Sequence, residues 1–157
     1  MPIDSEVIIS DTSCLILLSK IDKLGLLRKF SDSIYITPDI KSEFGKELPD
    51  WIKVKAPKNK SYQELLELDL DAGESSAIAL SFELEDSILI LDDLKGRYLA
   101  EKLKLRFSGT FGLILKAKQL GIINKVKPIL DEIKKTNFRF SEKLFELILK
   151  EAGERVN

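Results

Sequence analysis

Ser87-Ile88-Leu89-Ile90-Leu91-Asp92-Asp93, residues 87–93, decides the fold. Four consecutive apolar residues with no polar alternate suit a strand covered on both faces rather than one that meets water on one side. Such strands belong to parallel sheets wrapped by helices. The run then stops abruptly at two aspartates, which draws attention to the residues that end every other apolar run in the chain.

Working outward, Val7-Ile8-Ile9 reads as a short buried strand that ends at Ser10-Asp11. Ile34-Tyr35-Ile36 is a second strand, closed by Thr37-Pro38. Ile52 and Val54 mark a weak third strand stopped at Pro57, and Leu105-Arg106-Phe107 is a fifth after the 87–91 run. The segments between them are helical in period. Leu15 to Leu18 and Leu24 to Phe30 read as two short helices split near Asp22, a residue type that favours the N-cap position. Thr37 caps a helix through Phe44 with Pro38 in its first turn. Further helices are expected over Tyr62 to Leu68, Ala72 to Leu84 behind an Asp71 cap, Leu94 to Leu103, and Thr110 to Leu120 up to Gly121. Val126, Ile129, Leu130 and Ile133 carry the helical spacing, and Leu144 to Ala152 form a last helix stopped at Gly153. Strand–helix alternation of this kind predicts an α/β fold around a parallel sheet.

The 157 residues suit a single domain, 1–157, with C-terminal helices from about 123 to 152. No apolar run approaches the ~20 residues that span a bilayer. The start, Met-Pro-Ile-Asp-Ser-Glu, lacks a basic segment and an apolar signal stretch, so a cytoplasmic location without membrane attachment is expected. Cys14 is the one cysteine, which excludes an internal disulfide and a cysteine-based zinc site. Histidine is absent, and that excludes more: Ser-His-Asp and Cys-His nucleophile systems, His-ligated zinc and the commonest general base. Hydrolytic chemistry is left with carboxylates and a hard metal, or with lysine or a cofactor. The net charge of −1 is unevenly spread: residues 1–94 carry −9 and residues 95–157 carry +8. An acidic site beside a basic surface fits that asymmetry, as do ordinary solvated helix faces.

Open parallel sheets place their sites outside the carboxyl ends of the strands. Asp11 follows the first strand and Asp92-Asp93 follow the fourth. Glu43 lies one turn into the helix after Thr37-Pro38, and Glu74 lies in the first turn after Asp71-Ala72-Gly73. Each alone is explained by helix capping or a favourable dipole. Together they form an all-oxygen donor set of the kind Mg²⁺ takes. Without histidine, such ions supply the nucleophile by lowering the pKa of bound water, and paired ions also stabilise the leaving oxygen of a phosphodiester.

At these residues the chain resembles the PIN-domain nucleases. The stretches that carry the resemblance are Val7 to Ser13, Ile36 to Phe44, Leu70 to Leu80, Ile90 to Arg97, and Ser108 to Ile114 followed by Lys116-Ala117-Lys118 and Gly121. The similarity is nearest to a prokaryotic branch related to the VapC toxins of toxin–antitoxin pairs. It implies a doubly wound α/β/α sandwich of about five mostly parallel strands, Mg²⁺- or Mn²⁺-dependent endonuclease activity, usually on RNA, and frequent homodimers. It also implies acidic ligands at Asp11, Glu43, Glu74 and either Asp92 or Asp93, with weight toward Asp93. Small supporting hydroxyls are implied at Ser13 and Thr110. Asp71 competes with Glu74 for the third place. The helices after Gly121 extend beyond a minimal toxin.

Other residues leave two readings open. Arg97, one turn past the aspartate pair, suits a phosphate contact or an ion pair. Lys116, Lys118, Lys125, Lys127, Lys134 and Lys135 suit a nucleic-acid backbone or plain solvation. Trp51 and Tyr62 flank a Lys-rich segment and suit base stacking or the core. The Leu24–Phe30 helix suits a dimer seam or the core. The rival to a ribonuclease is a catalytically inactive PIN-like module that binds RNA or a protein antitoxin.

Overall fold

The structure, a computed structural model, describes residues 6–155. The start at 1–5, where no signal stretch is expected, and residues 156–157 of the expected domain lie outside the described residues. Five strands, β1 (Val7–Ser10), β2 (Ser33–Ile36), β3 (Ile52–Val54), β4 (Ser87–Ile90) and β5 (Phe107–Ser108), form one sheet in the order β3-β2-β1-β4-β5. Every pairing is parallel. The helices are α1 (Thr12–Lys20), α2 (Leu26–Phe30), α3 (Pro38–Phe44), α4 (Lys60–Leu66), α5 (Ala72–Glu83), α6 (Leu94–Lys102), α7 (Thr110–Gln119), α8 (Lys127–Lys134) and α9 (Glu142–Glu151).

All four residues of β4 are buried, and Ile8, Ile9 and Ser10 of β1 are fully so. Successive strand residues point to opposite faces, so helices cover both sides of the sheet and the fold is the expected α/β/α sandwich. α5 packs against β1 and β4 and touches α3, α4 and α6, while α7 packs on α9. Leu26, Leu27 and Phe30 of α2 are buried in the chain's own core, which absorbs that apolar face. Among the described residues, no helix is long and apolar enough to cross a membrane.

Two local expectations are corrected. Asp22 does not cap α2; it takes a left-handed φ of 56°, and the N–H of Lys23 returns to the carbonyl of Leu18. It is the stop of α1, a position aspartate tolerates because its short polar side chain lessens the left-handed penalty. The fifth strand begins later than Leu105. Lys104 has φ 58° and the Leu105 N–H bonds back to Ala100, so both residues complete the end of α6.

Strand order reverses between β1 and β4. The chain leaves β1 for β2 on one side, while β4 lies on the other. Ser10 and Ile90 are paired in register at the carboxyl ends of these strands. A crevice at this reversal is where open α/β sheets bind ligands, and Asp11 and Asp92 flank it.

Candidate active site

Asp11 ends β1 and caps α1. Its Oδ1 accepts from the Cys14 N–H at 2.8 Å, and its Oδ2 accepts from the Asp92 N–H at 2.8 Å. The Asp11 N–H itself donates to the Ile90 carbonyl at 2.9 Å. The carboxylate is therefore fixed by both strands and only 4% exposed. Burial, and secondly the neighbouring charge of Asp92, raise its pKa to about 7, against the pull of the backbone N–H donors.

Asp92 is gripped from the other side. The Thr110 N–H donates to its Oδ1 and the Thr110 hydroxyl to its Oδ2, both at 2.6 Å. Thr110 opens α7 and is buried, so the expected supporting hydroxyl does reach a site carboxylate. Asp93 caps α6, its Oδ2 accepting from the Gly96 N–H at 2.9 Å.

Glu74 stands in the first turn of α5, half-buried. Burial, then the charges of Asp71, Asp93 and Asp11, raise its pKa to about 7. It thus belongs to the same electrostatic cluster as Asp11 and Asp93. Asp71 takes the capping place instead, its Oδ1 accepting from the Glu74 N–H at 2.8 Å. Glu43, in α3, accepts a hydrogen bond from the Thr12 hydroxyl, which places it beside the first turn of α1. It also lies over Gly73, where a Cβ would run into the Glu43 carboxylate.

Sequence reasoning passes over Thr12 and Gly73. It gives Ser13 a supporting role; Ser13 is exposed, and among the described residues its hydroxyl bonds to no other residue. Helix residues turn by about 100° each, so the first residue of α1 faces α3 and the second turns away. A signal for Gly73 exists: a glycine inside a helix, with no turn to make, marks a close approach.

Arg97 sits at the same edge. Its guanidinium lies 5.5 Å from the Phe107 ring centroid. Its Nη1 and Asp92 Oδ1 come within 3.3 and 3.1 Å of the point where a Cβ on Gly109 would stand. Among the described residues it has no carboxylate within ion-pair range, unlike Lys118, Lys127, Lys134 and Lys135, which pair with Glu154, Asp131, Glu142 and Glu132. Those four lysines are engaged within the chain, which favours the solvation reading for the basic stripe. Trp51 packs against the core with Arg28 over its ring at 5.9 Å, and Tyr62 packs on Phe82 with centroids 5.2 Å apart. Cys14 is buried, and burial followed by the Asp11 and Asp92 charges pushes its thiol far above the usual range, so it is no nucleophile.

A family model described as a PIN domain matches residues 7–154, nearly the whole chain. The protein belongs to the PIN-domain family. No curated protein matches it. PIN domains are generally nucleases, hydrolases of phosphodiesters that typically use divalent metals. The donors of this PIN domain suit such an ion in kind: all are hard carboxylate oxygens, with neither imidazole nor accessible thiolate beside them. In placement they are looser, since among the described residues no three acidic side chains stand close enough to enclose a cation.

Proposed function

We propose that this PIN domain is a metal-dependent endoribonuclease acting in the cytoplasm, with Asp11, Glu43, Glu74, Asp92 and Asp93 as the carboxylates that hold Mg²⁺ or Mn²⁺. One observation carries the reading. Asp11 ends a strand at the sheet's switch point, the charge of Asp11 reaches Glu74 from an element far away in the chain, and burial with like charges raises both carboxyls to about 7. Clustered negative charge at a site for a polyanionic substrate makes sense where cations reverse the local field. A bound ion supplies a water of lowered pKa and stabilises charge on the phosphate oxygens. The chain's own residues do the positioning. Thr110 and the Asp92 N–H fix the two strand-end carboxylates, Thr12 fixes Glu43, and Arg97 meets a phosphate of the substrate.

RNA as substrate, VapC-like toxin activity, an antitoxin partner and a homodimer are what the resemblance implies, and they enter here as parts of the proposal. Cleavage of end-labelled single-stranded RNA and DNA, with Mg²⁺, with Mn²⁺ and with EDTA, tests the core of it. RNA is expected to be cut internally with either metal, and cleavage is expected to vanish with EDTA, in Asp11→Asn and in Glu43→Gln. Cleavage that survives chelation would remove the proposal. The separation of the carboxylates favours a second reading, an inactive module that binds RNA or an antitoxin. Wild type that cuts no more than Asp11→Asn would establish it.

A further inference from the structure

The face of α1 that begins at the acidic centre takes no part in holding the carboxylates. Ser13, Ile16, Leu17 and Lys20 recur at helical spacing along it, about 10 Å from end to end. With Asn137 and Phe138 they line a cleft of about 240 Å³. Asn137 and Phe138 come from the segment between α8 and α9, part of the C-terminal helices that extend the chain past Gly121. The cleft is anchored to the site at two points. Ser13 lies two residues after Asp11, and Phe138 packs edge-on against Phe111 with ring centroids 5.9 Å apart. Phe111 directly follows Thr110, the residue that grips Asp92. The wall is also held from behind: the Thr136 hydroxyl donates to the Ile133 carbonyl at 2.6 Å and accepts from the Phe138 N–H at 3.1 Å.

The chemistry of the lining is specific. Lys20 Nζ donates to Asn137 Oδ1. An ammonium carries donors only, so the amide must turn its oxygen to Lys20 and leave Nδ2 to donate elsewhere. Lys20, with three N–H groups, keeps donors to spare. The rim of the cleft is therefore rich in donors, over an aliphatic and aromatic floor of Ile16, Leu17 and Phe138. A flat ring with acceptor carbonyls on its edge fits such a place. Uracil and guanine present them, whereas cytosine and adenine offer an exocyclic amine at the matching position. Unpaired bases splayed onto aromatic side chains and read along their edges are the usual mode of sequence-specific RNA recognition.

We propose that this cleft is a subsite for an unpaired keto base, uracil or guanine, of the RNA strand held at the acidic centre. The inference rests on the ribonuclease reading, and the C-terminal extension becomes the element that sets base preference. The test is fluorescence anisotropy of labelled octauridylate, octacytidylate and octaadenylate with the full chain in the Asp11→Asn background, where turnover does not interfere. Octauridylate is expected to bind about tenfold more tightly than the other two. Asn137→Leu and Lys20→Met are expected to erase that difference. Phe138→Ala is expected to weaken all three by about tenfold. Circular dichroism melts of each variant confirm that the fold survives, and Asn137 and Lys20 are exposed enough for exchange without disturbing the core. Equal binding of the three oligonucleotides by the unsubstituted cleft, or a uridylate preference that persists in both polar variants, would overturn the proposal. A preference that depends on Asn137 in a protein that cuts no RNA with any metal would keep the subsite and discard the nuclease. Metal-dependent cutting without any base preference would do the reverse.

Discussion

The backbone N–H of Asp92 donates to Oδ2 of Asp11 at 2.8 Å, across 81 positions of sequence. One residue's peptide group thus orients the other's carboxylate, and the two strand ends are linked at the point where the sheet reverses order. Asp92's own carboxylate is left to Thr110. The chain from Thr110 through Asp92 to Asp11 joins α7, the β4 end and the β1 end into one hydrogen-bonded unit, so a change at its far end should be felt at Asp11.

Thr110→Val tests that unit. Valine keeps the shape and the backbone N–H but removes the hydroxyl that donates to Asp92 Oδ2 at 2.6 Å. A buried charge-assisted bond lost in this way costs about 1.5–3 kcal/mol. Urea titration should show that loss, and RNA cleavage should fall by about tenfold or more as Asp92 loosens. Full cleavage with wild-type stability would mean that the hydroxyl positions nothing.

Gly73→Ala separates stability from function. Alanine favours a helix over glycine by up to about 1 kcal/mol, and the group its Cβ strikes is the tip of a flexible, exposed Glu43 side chain. The melting temperature should therefore hold or rise slightly. The Glu43 carboxylate, however, must leave its place over α5, so the Mn²⁺ concentration needed for half-maximal cleavage should rise well above that of wild type, toward the loss of cleavage expected of Glu43→Gln. An unchanged metal requirement would place Glu43 outside the site.

These two residues also show how far the sequence carries. The acids that end strands are legible, because an apolar run such as Ile88–Leu91 followed by aspartate announces both a covered strand and its edge. Helix starts at Thr37, Asp71 and Thr110 are legible for the same local reason. Asp22 and Lys104 are not, because a left-handed helix stop and an N-cap or strand start draw on similar residue types, and only the returning N–H of the next residue distinguishes them. Thr12 over Ser13 depends on the rotational phase of α1 against α3, a tertiary quantity. The hold of Thr110 on Asp92 depends on β5 lying beside β4, which no spacing in the chain expresses.

The metal-free protein should lose stability as pH rises from about 4 to about 7. Asp11 ionises at an ordinary 3.8 when unfolded and at about 7 when folded; Glu74 moves from 4.5 to about 7. Between those limits the folded state binds more protons than the unfolded one, so stability falls with increasing pH and levels off above about 7. Thermal melts in EDTA at pH 5 and pH 8 should show the lower melting temperature at pH 8. Asp11→Asn should flatten the difference, and Mn²⁺ should restore the pH 8 value by neutralising the carboxylates. A metal-free protein more stable at pH 8 than at pH 5 would contradict the buried, like-charged arrangement of these two groups.

Glu154 provides the last test, and it connects the C-terminal extension to the rest. Its Oε2 accepts from the Val126 N–H at 2.6 Å and from Lys118 at 2.9 Å, and its Oε1 accepts from the Lys127 N–H at 3.0 Å. Burial alone would raise its pKa, but these three donors outweigh it and hold the carboxyl below its ordinary value. The contribution to stability is therefore present above the unfolded pKa and is lost as pH falls through the lower folded one. The bonds fasten the end of the chain to the start of α8 and to α7, the helix that carries Thr110. Glu154→Gln keeps the shape but removes the charge, and should cost about 1–3 kcal/mol at pH 7, a difference that shrinks as pH falls below the ordinary carboxylate range. Because α8 and α9 flank the segment that bears Asn137 and Phe138, the same variant should reduce any uridylate preference before it reduces Mn²⁺-dependent cutting. If cleavage were lost first, the extension would serve the acidic centre itself rather than the base beside it.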